Sequence, residues 1–431
     1  MPETTTPSAI PLPLTHVTEL GVFIFFAAMF AIPSGYSYGG VLLLVAGLWM
    51  LAQRPTLVLD RDDHIMAYTL LAYFLVSVIM VFALDNNKTD IDQSVRAFLA
   101  IPILLLLIRV PVRLPIIWAG IALGVILSAG IAWWQMNILH YPRAEGFLNA
   151  IHFGNFALLF AAFCIGGLFW ASTQGRRAVK WRVYFTLAIL CGLYSVIAGG
   201  SRGSWTALPP LAVVFLLAFL NRRNAVRVAG YCVIGAITIA GLFAIPNSPL
   251  LARYDNAVSD VTQYKEDNPD TSLGARFEMW QGAAANLRRQ PFIGWNQQDY
   301  HQALQHLVDK GELSPVALDF NSNLHNNYLQ AWVFTGLPGL LSLLALFAVP
   351  LWHFGRYLRH TDLTVRALAF LGTSLVAAYA CFCLSQAVLR RDNGIMLFVL
   401  ALAVFWGALR HALTAASPVT SASSTPSNAA S

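Results

Sequence analysis

Charge is scarce in this chain, and the scarcity excludes a soluble fold. Only 11% of its 431 residues are Asp, Glu, Lys or Arg, while 57% are hydrophobic and the mean hydropathy is +0.60. So little polar surface cannot cover a globule of this length, which leaves a polytopic membrane protein. Cysteine is equally sparse. Cys164, Cys191, Cys232, Cys381 and Cys383 all fall inside apolar runs, so neither a disulfide framework nor a cysteine metal centre is expected. Met1 to Thr15 contains no Lys or Arg and so lacks the basic flank of a cleaved signal peptide; the first helix is expected to insert the chain. No internal repeat is present.

What the sequence does have is long apolar stretches. They place about twelve spans, at 16–32, 38–52, 65–83, 94–108, 115–136, 149–170, 182–198, 205–220, 226–245, 326–349, 367–387 and 394–409. The expected fold is therefore an all-α polytopic membrane protein with one large helical loop outside the membrane. A first bundle of about nine helices covers 1–245, the loop domain 246–325, the last three helices 326–413, and a disordered cytoplasmic tail of small polar residues 414–431.

Orientation follows from basic residues in alternate connections. One set carries fifteen Lys and Arg, the opposite set, without its long loop, six. That bias puts both termini in the cytoplasm and the long loop outside. The net charge of +6 is mostly this cytoplasmic collar, so no nucleic-acid partner is implied.

Within the loop, Asn256 to Asp270 reads as polar and surface-exposed. From Ser272 to Arg289 the apolar positions Phe277, Met279, Trp280, Ala283, Ala284 and Leu287 recur at three and four, an amphipathic helix closed by Pro291. A second helix is expected from Gln297 to Lys310, stopping at Gly311. Two such helices against the outer ends of the spans would form a lid or cradle.

Three arginines run against the charge bias: Arg143, Arg202 in Gly200-Ser201-Arg202-Gly203-Ser204, and Arg276. Any one of them fits a lipid headgroup contact or a helix cap as well as a substrate site. Converging, they would hold a phosphate through planar, permanently charged forks, with glycines admitting a bulky anion and a following helix start adding its field. His325, in His325-Asn326-Asn327-Tyr328 at the foot of a span, is either a cap or a general base. Beside arginines its neutral, proton-accepting form is favoured. Glu145 and Glu278 are the rival bases. Asp267 and Asp270 do not form an Asp-x-Asp metal string, and Asp90-Ile91-Asp92 is a weak one in a short loop, so no metal is required.

Ser201-Arg202-Gly203-Ser204-Trp205, Gly274-Ala275-Arg276-Phe277-Glu278-Met279-Trp280 leading to Pro291-Phe292-Ile293-Gly294, and His325-Asn326-Asn327-Tyr328-Leu329 with Gly336 and Gly339 resemble, in order and spacing, the O-antigen ligase and polymerase superfamily. Within it the chain is most similar to the O-antigen ligases of Gram-negative bacteria. The resemblance implies an inner-membrane, multi-pass glycosyltransferase of lipopolysaccharide biosynthesis with its active site facing the periplasm, working without metal, nucleotide or other cofactor. It would move a completed polysaccharide from undecaprenyl pyrophosphate to a sugar hydroxyl of the lipid A core, with inversion. His325 would be the base, Arg202 and Arg276 would hold the pyrophosphate, and Arg143, in a looser pattern, would join them. Ser201, Gly203, Asn326, Asn327 and Tyr328 would support them. Where family members often carry a second glycine after Gly294, Asn296 stands here. An O-antigen polymerase or a protein O-oligosaccharyltransferase would use the same donor. A transporter of the lipid-linked anion is the more distant alternative, opposed by the few charges inside most spans.

Overall fold

Prolines and short polar caps set where the helices begin. In the computed structural model, which describes residues 10–222, 225, 226, 230, 255, 258–264, 266, 268–318 and 323–417, no strand occurs among those residues. The helices before the loop domain are α1 (Leu12–Ala27), α2 (Gly35–Ala52), α3 (Arg61–Ala83), α4 (Ile91–Arg109), α5 (Leu114–Asn137), α6 (Ala150–Ala171), α7 (Ala178–Gly199) and α8 (Leu208–Phe219). The loop domain contributes α9 (Ser272–Arg289) and α10 (Gln297–Asp309), and the chain returns through α11 (Asn327–Gly355), α12 (Leu363–Ser385) and α13 (Asp392–Ala416). Proline in the first turn of α1, α5 and α8 gives up an amide hydrogen that has no partner there in any case. Asp60 and Asp63 form a reciprocal capping box on α3, and Asn149, Asn326 and Asp362 cap α6, α11 and α12.

Among the described residues, ten helices are long and apolar enough to cross a membrane, counting the 3₁₀ turns at Gly175–Arg177 and Arg202–Ala207 as lead-ins to α7 and α8. The expected all-α polytopic fold is what the described residues adopt. The first expected span, 16–32, is the shorter apolar helix α1, displaced toward Pro13. The ninth, 226–245, lies almost wholly outside the described residues. Helix α13 runs on through Thr414 to Ala416, residues read from the sequence as tail; positions 418–431 also lie outside the described residues.

Helices α6, α12 and α13 form the core of the bundle, 78–83% of their apolar windows being buried, whereas α3, at 17%, is its most exposed member. Ion pairs lock one face. Arg113 forks onto Glu19 (2.6 and 2.7 Å), tying α5 to α1, and Arg410 bonds Asp60 and Asp63 (2.8–3.1 Å), tying α13 to α3. Arg356 pairs with Asp62. The loop domain and the connections 84–90, 138–149, 200–207 and 386–391 gather on the other face.

That domain has its own apolar core, in which Met279, Ala283 and Leu287 of α9 meet Tyr300, Leu304 and Leu307 of α10 over Val333 and Phe334 of α11. Thr271 caps α9, its side chain accepting the Gly274 amide at 3.0 Å. Ala284 is exposed, and the buried face of α9 includes the polar Glu278 and Asn286, which apolar periodicity does not reveal. Asn296 caps α10 and its amide reaches back to Leu84 O (2.9 Å), which gives a use for the side chain standing where a glycine is common.

Helix α11 is broken at Gly336 (φ 63°, ψ −170°), a conformation open essentially to glycine alone. The connection between α9 and α10 fills the break: Leu337 N donates to Phe292 O (2.9 Å) and Trp295 N to Val333 O (2.6 Å). A Cβ on Gly294 would lie 2.5 Å from Gly336 N, so two glycines let the segments touch. Gly336→Ala is therefore expected to destabilise the fold by about 1–3 kcal/mol from backbone strain alone. Thermal unfolding of the purified protein measures it; an unchanged midpoint would contradict this account of the break.

Candidate functional site

Three guanidinium groups surround one cavity on the loop face. It measures about 260 Å³ and is lined by Arg143, Ile151, Gly200, Ser201, Arg202, Gly203, Ser272, Arg276 and Ser385. Separate clamps hold each arginine's segment. The Arg143 loop is gripped by Gln135 near the end of α5, whose Oε1 accepts the Glu145 and Gly146 amides and whose Nε2 donates to Gly146 O, all at 2.9 Å. Ahead of Arg202, Gly200 closes α7 in the left-handed region (φ 57°), and Ser204 Oγ donates to Asn155 Oδ1 (2.8 Å), pinning the turn to α6. Helix α9, which carries Arg276, is stapled by Glu278, whose carboxylate accepts from Tyr264 OH (2.9 Å) and Ser314 N (2.7 Å).

The charges are poorly balanced. Arg202 Nη2 donates to Asp260 Oδ2 at 3.0 Å, while its Nη1 is buried without a hydrogen-bond partner among the described residues. Among those residues neither Arg143 nor Arg276 makes an ion pair. Burial, and then the Arg202 charge, push the Arg276 guanidinium below its ordinary value. An anion entering this cavity would relieve both effects.

His325 is not among the lining residues; it is tied to Gln386, the residue after the cavity-lining Ser385. Its backbone lies in the left-handed region (φ 48°), held by Trp280 Nε1 donating to Leu324 O (2.8 Å) and by Leu324 N donating to Gln330 Oε1 (2.8 Å). Trp280 sits one turn after Arg276, so the helix that aims that arginine also fixes the histidine's backbone. His325 Nδ1 donates to Gln386 Oε1 at 2.5 Å. An amide oxygen only accepts, so the proton belongs on Nδ1 and the basic lone pair on Nε2. Burial lowers the imidazole's pKa, with Arg276 and Arg391 adding to the effect against the Gln386 bond, which raises it. Among the described residues, no three His, Cys, Asp or Glu side chains gather as a metal site would require.

A sequence model described as O-antigen ligase matches residues 186–344, a segment containing Arg202, Arg276 and His325. Residues 186–344 are thus similar to the O-antigen ligase family. Its bacterial relatives include a Haemophilus influenzae protein described as uncharacterized, 27% identical over 397 residues that cover 91% of this chain and 98% of the relative. An O-antigen ligase of Escherichia coli K12 is 28% identical over 192 residues, 44% of this chain and 45% of the relative. With ten membrane-length helices among the described residues, the chain is a multi-pass bacterial membrane protein.

Around this cavity, the structure sorts the residues singled out in the sequence. Arg143, Arg202, Arg276, Ser201 and Gly203 share the cavity, although Arg143 lies outside the matched segment. Asn326, Asn327 and Tyr328 secure the frame. Asn326 caps α11, Asn327 Oδ1 accepts the Leu389 amide (3.0 Å), and Tyr328 OH donates to Ala380 O (2.8 Å). Of the rival carboxylates, Glu145 is exposed and Glu278 has both oxygens engaged in the staple. Asp90 is likewise occupied, by Arg390 (2.6 Å) and Gln297 (2.7 Å).

Gln386, Asp260, Gln135 and Arg391 were not singled out from the sequence. A lone amide within or beside an apolar run is the signal that would have found Gln135 and Gln386, since such a group needs a specific partner there. Asp260 lies in a stretch read as surface-exposed, yet it is held against Arg202 with 16% of its side chain accessible.

Because the folded pKa of His325 lies below the ordinary 6.5, the neutral imidazole persists through neutral pH and is lost only on acidification through that lower value. Transfer activity that depends on it should show an acid limb below pH 6.5. Gln386→Glu adds an opposing charge and should move that limb to higher pH. Gln386→Leu, which removes the bond orienting the ring, should cost roughly tenfold in rate. A pH–rate profile indifferent to both substitutions would contradict the assignment.

Proposed function

We propose that this chain is an inner-membrane glycosyltransferase that joins a polysaccharide carried on undecaprenyl pyrophosphate to a sugar hydroxyl of the lipid A core. The loop face is periplasmic in this reading and both termini are cytoplasmic, in keeping with the excess of basic residues in the opposite connections. One observation carries it: three arginines line a single cavity with Ser385, and the next residue, Gln386, bonds the imidazole of His325. The cavity is several times the roughly 30 Å³ of one water, which suits a diphosphate.

The chemistry is a single displacement. Nε2 of His325 takes the acceptor hydroxyl proton as its oxygen attacks the anomeric carbon opposite the leaving group. The bond from that carbon to the diphosphate oxygen breaks, and the departing charge falls on the diphosphate held by Arg202, Arg276 and Arg143. The product is inverted at the anomeric carbon. Guanidinium groups fixed before reaction stabilise that charge without rearrangement, and the imidazole contributes as a positioned base. The step needs neither metal nor nucleotide.

Sugar transfer by purified protein, with lipid-linked donor and a defined core acceptor, tests the proposal. His325→Ala should lower transfer by about 10²–10⁴-fold while insertion is unchanged. Arg202→Lys should weaken donor binding despite keeping its charge, because the bidentate fork is lost. EDTA should leave the rate unaltered. Wild-type turnover by the alanine variant, or lipid movement without a new glycosidic bond, would overturn the reading.

A further inference from the structure

We propose that the connection between α9 and α10, residues 291–296, is an interfacial membrane anchor whose Phe292 and Ile293 enter the acyl chains beside α11. These neighbouring side chains are 68% and 59% exposed, although the domain they belong to has an apolar core of its own. Five hydrogen bonds pin the backbone that carries them. Pro291 O accepts from Trp332 Nε1 (2.6 Å), Phe292 O from Leu337 N (2.9 Å) and Gly294 O from Gln290 Nε2 (2.5 Å). Trp295 donates its amide to Val333 O (2.6 Å) and accepts from Asn86 Nδ2 at its carbonyl (3.2 Å). Apolar side chains turned outward over a pinned, non-helical backbone suit the interfacial level of a bilayer, where backbone groups left over still meet water.

The level of the tip follows from the same bonds. It is held against the break in α11, just above Leu341 and Leu344, which are 55% and 42% exposed on a membrane-crossing helix. On the other side Asn86, which bonds Trp295 O and Phe334 O, follows the end of α3, whose Ile79 and Phe82 are 61% and 60% exposed. Phe292 and Ile293 thus continue the outer edge of an existing lipid-facing band. Arg288 and Arg289, both exposed in the last turn of α9, stand beside the tip where lipid phosphates would lie, and Trp295 and Trp332 flank it. The anchor would fix α9, and with it Arg276 and Trp280, to the bilayer as well as to α11. The lipid contact itself does not depend on which reaction the site performs.

The test uses the full chain in nanodiscs of phosphatidylethanolamine and phosphatidylglycerol, with p-benzoylphenylalanine replacing Phe292, Leu341 or Asp299 in turn. After illumination, mass spectrometry should find lipid adducts at 292 and 341, several-fold above those at 299, an exposed position on α10. Adducts at 341 but not at 292, or a crosslink from 292 to a second copy of the chain, would overturn the proposal. A nitroxide at each of the three positions gives an independent reading. The label at 292 should be relaxed by oxygen more than by a water-soluble nickel chelate, as at 341, and the reverse preference, as at 299, would be equally fatal.

Discussion

Mutual repulsion among Arg143, Arg202 and Arg276 is the constraint to which the rest of this structure answers. Like charges around one cavity, with a single carboxylate among the described residues bonded to one of them, would drift apart unless something held them. The clamps supply that restraint from three directions: Gln135 on the loop after α5, Asn155 on the turn before α8, and Glu278 with Trp280 on α9. Charge held in place before a substrate arrives is what lets such a site stabilise charge that develops during a reaction, because no reorganisation remains to be done.

The bundle uses arginine in two ways. Arg113, Arg356 and Arg410 on one face, and Arg96 and Arg390 toward the other, are matched to carboxylates and serve to tie helices together. The arginines of the cavity are left largely unmatched. A count of basic residues sees the first population as topology, whereas only coordinates reveal that its members are spent on ion pairs. The same contrast separates the two histidine-adjacent amides from ordinary polar residues: Gln386 orients a ring, while Gln330 shapes the backbone beneath it.

Much of this was legible in the sequence. Length and hydropathy give the membrane helices because hydrocarbon tolerates little else, and three- and four-residue spacing gives α9 and α10. The arginines and His325 could be named because they sit where charge is otherwise depleted. What the sequence withheld depends on partners far apart along it. Asp260 meets Arg202, and Gln386 meets His325, through contacts 58 and 61 residues apart. The break at Gly336 needs a second glycine at 294 pressed against it. The buried Glu278 looks like a surface charge until Tyr264 and Ser314 are found on its oxygens.

The central claim is that one polyprenyl diphosphate is shared by the arginine cavity and the imidazole beside it. A cryo-EM map of the protein with undecaprenyl diphosphate-linked sugar bound tests it most directly. The account predicts the diphosphate between Arg202 and Arg276, with Nε2 of His325 facing the anomeric side of the first sugar. Density for the diphosphate elsewhere, or a first sugar turned away from His325, would contradict it.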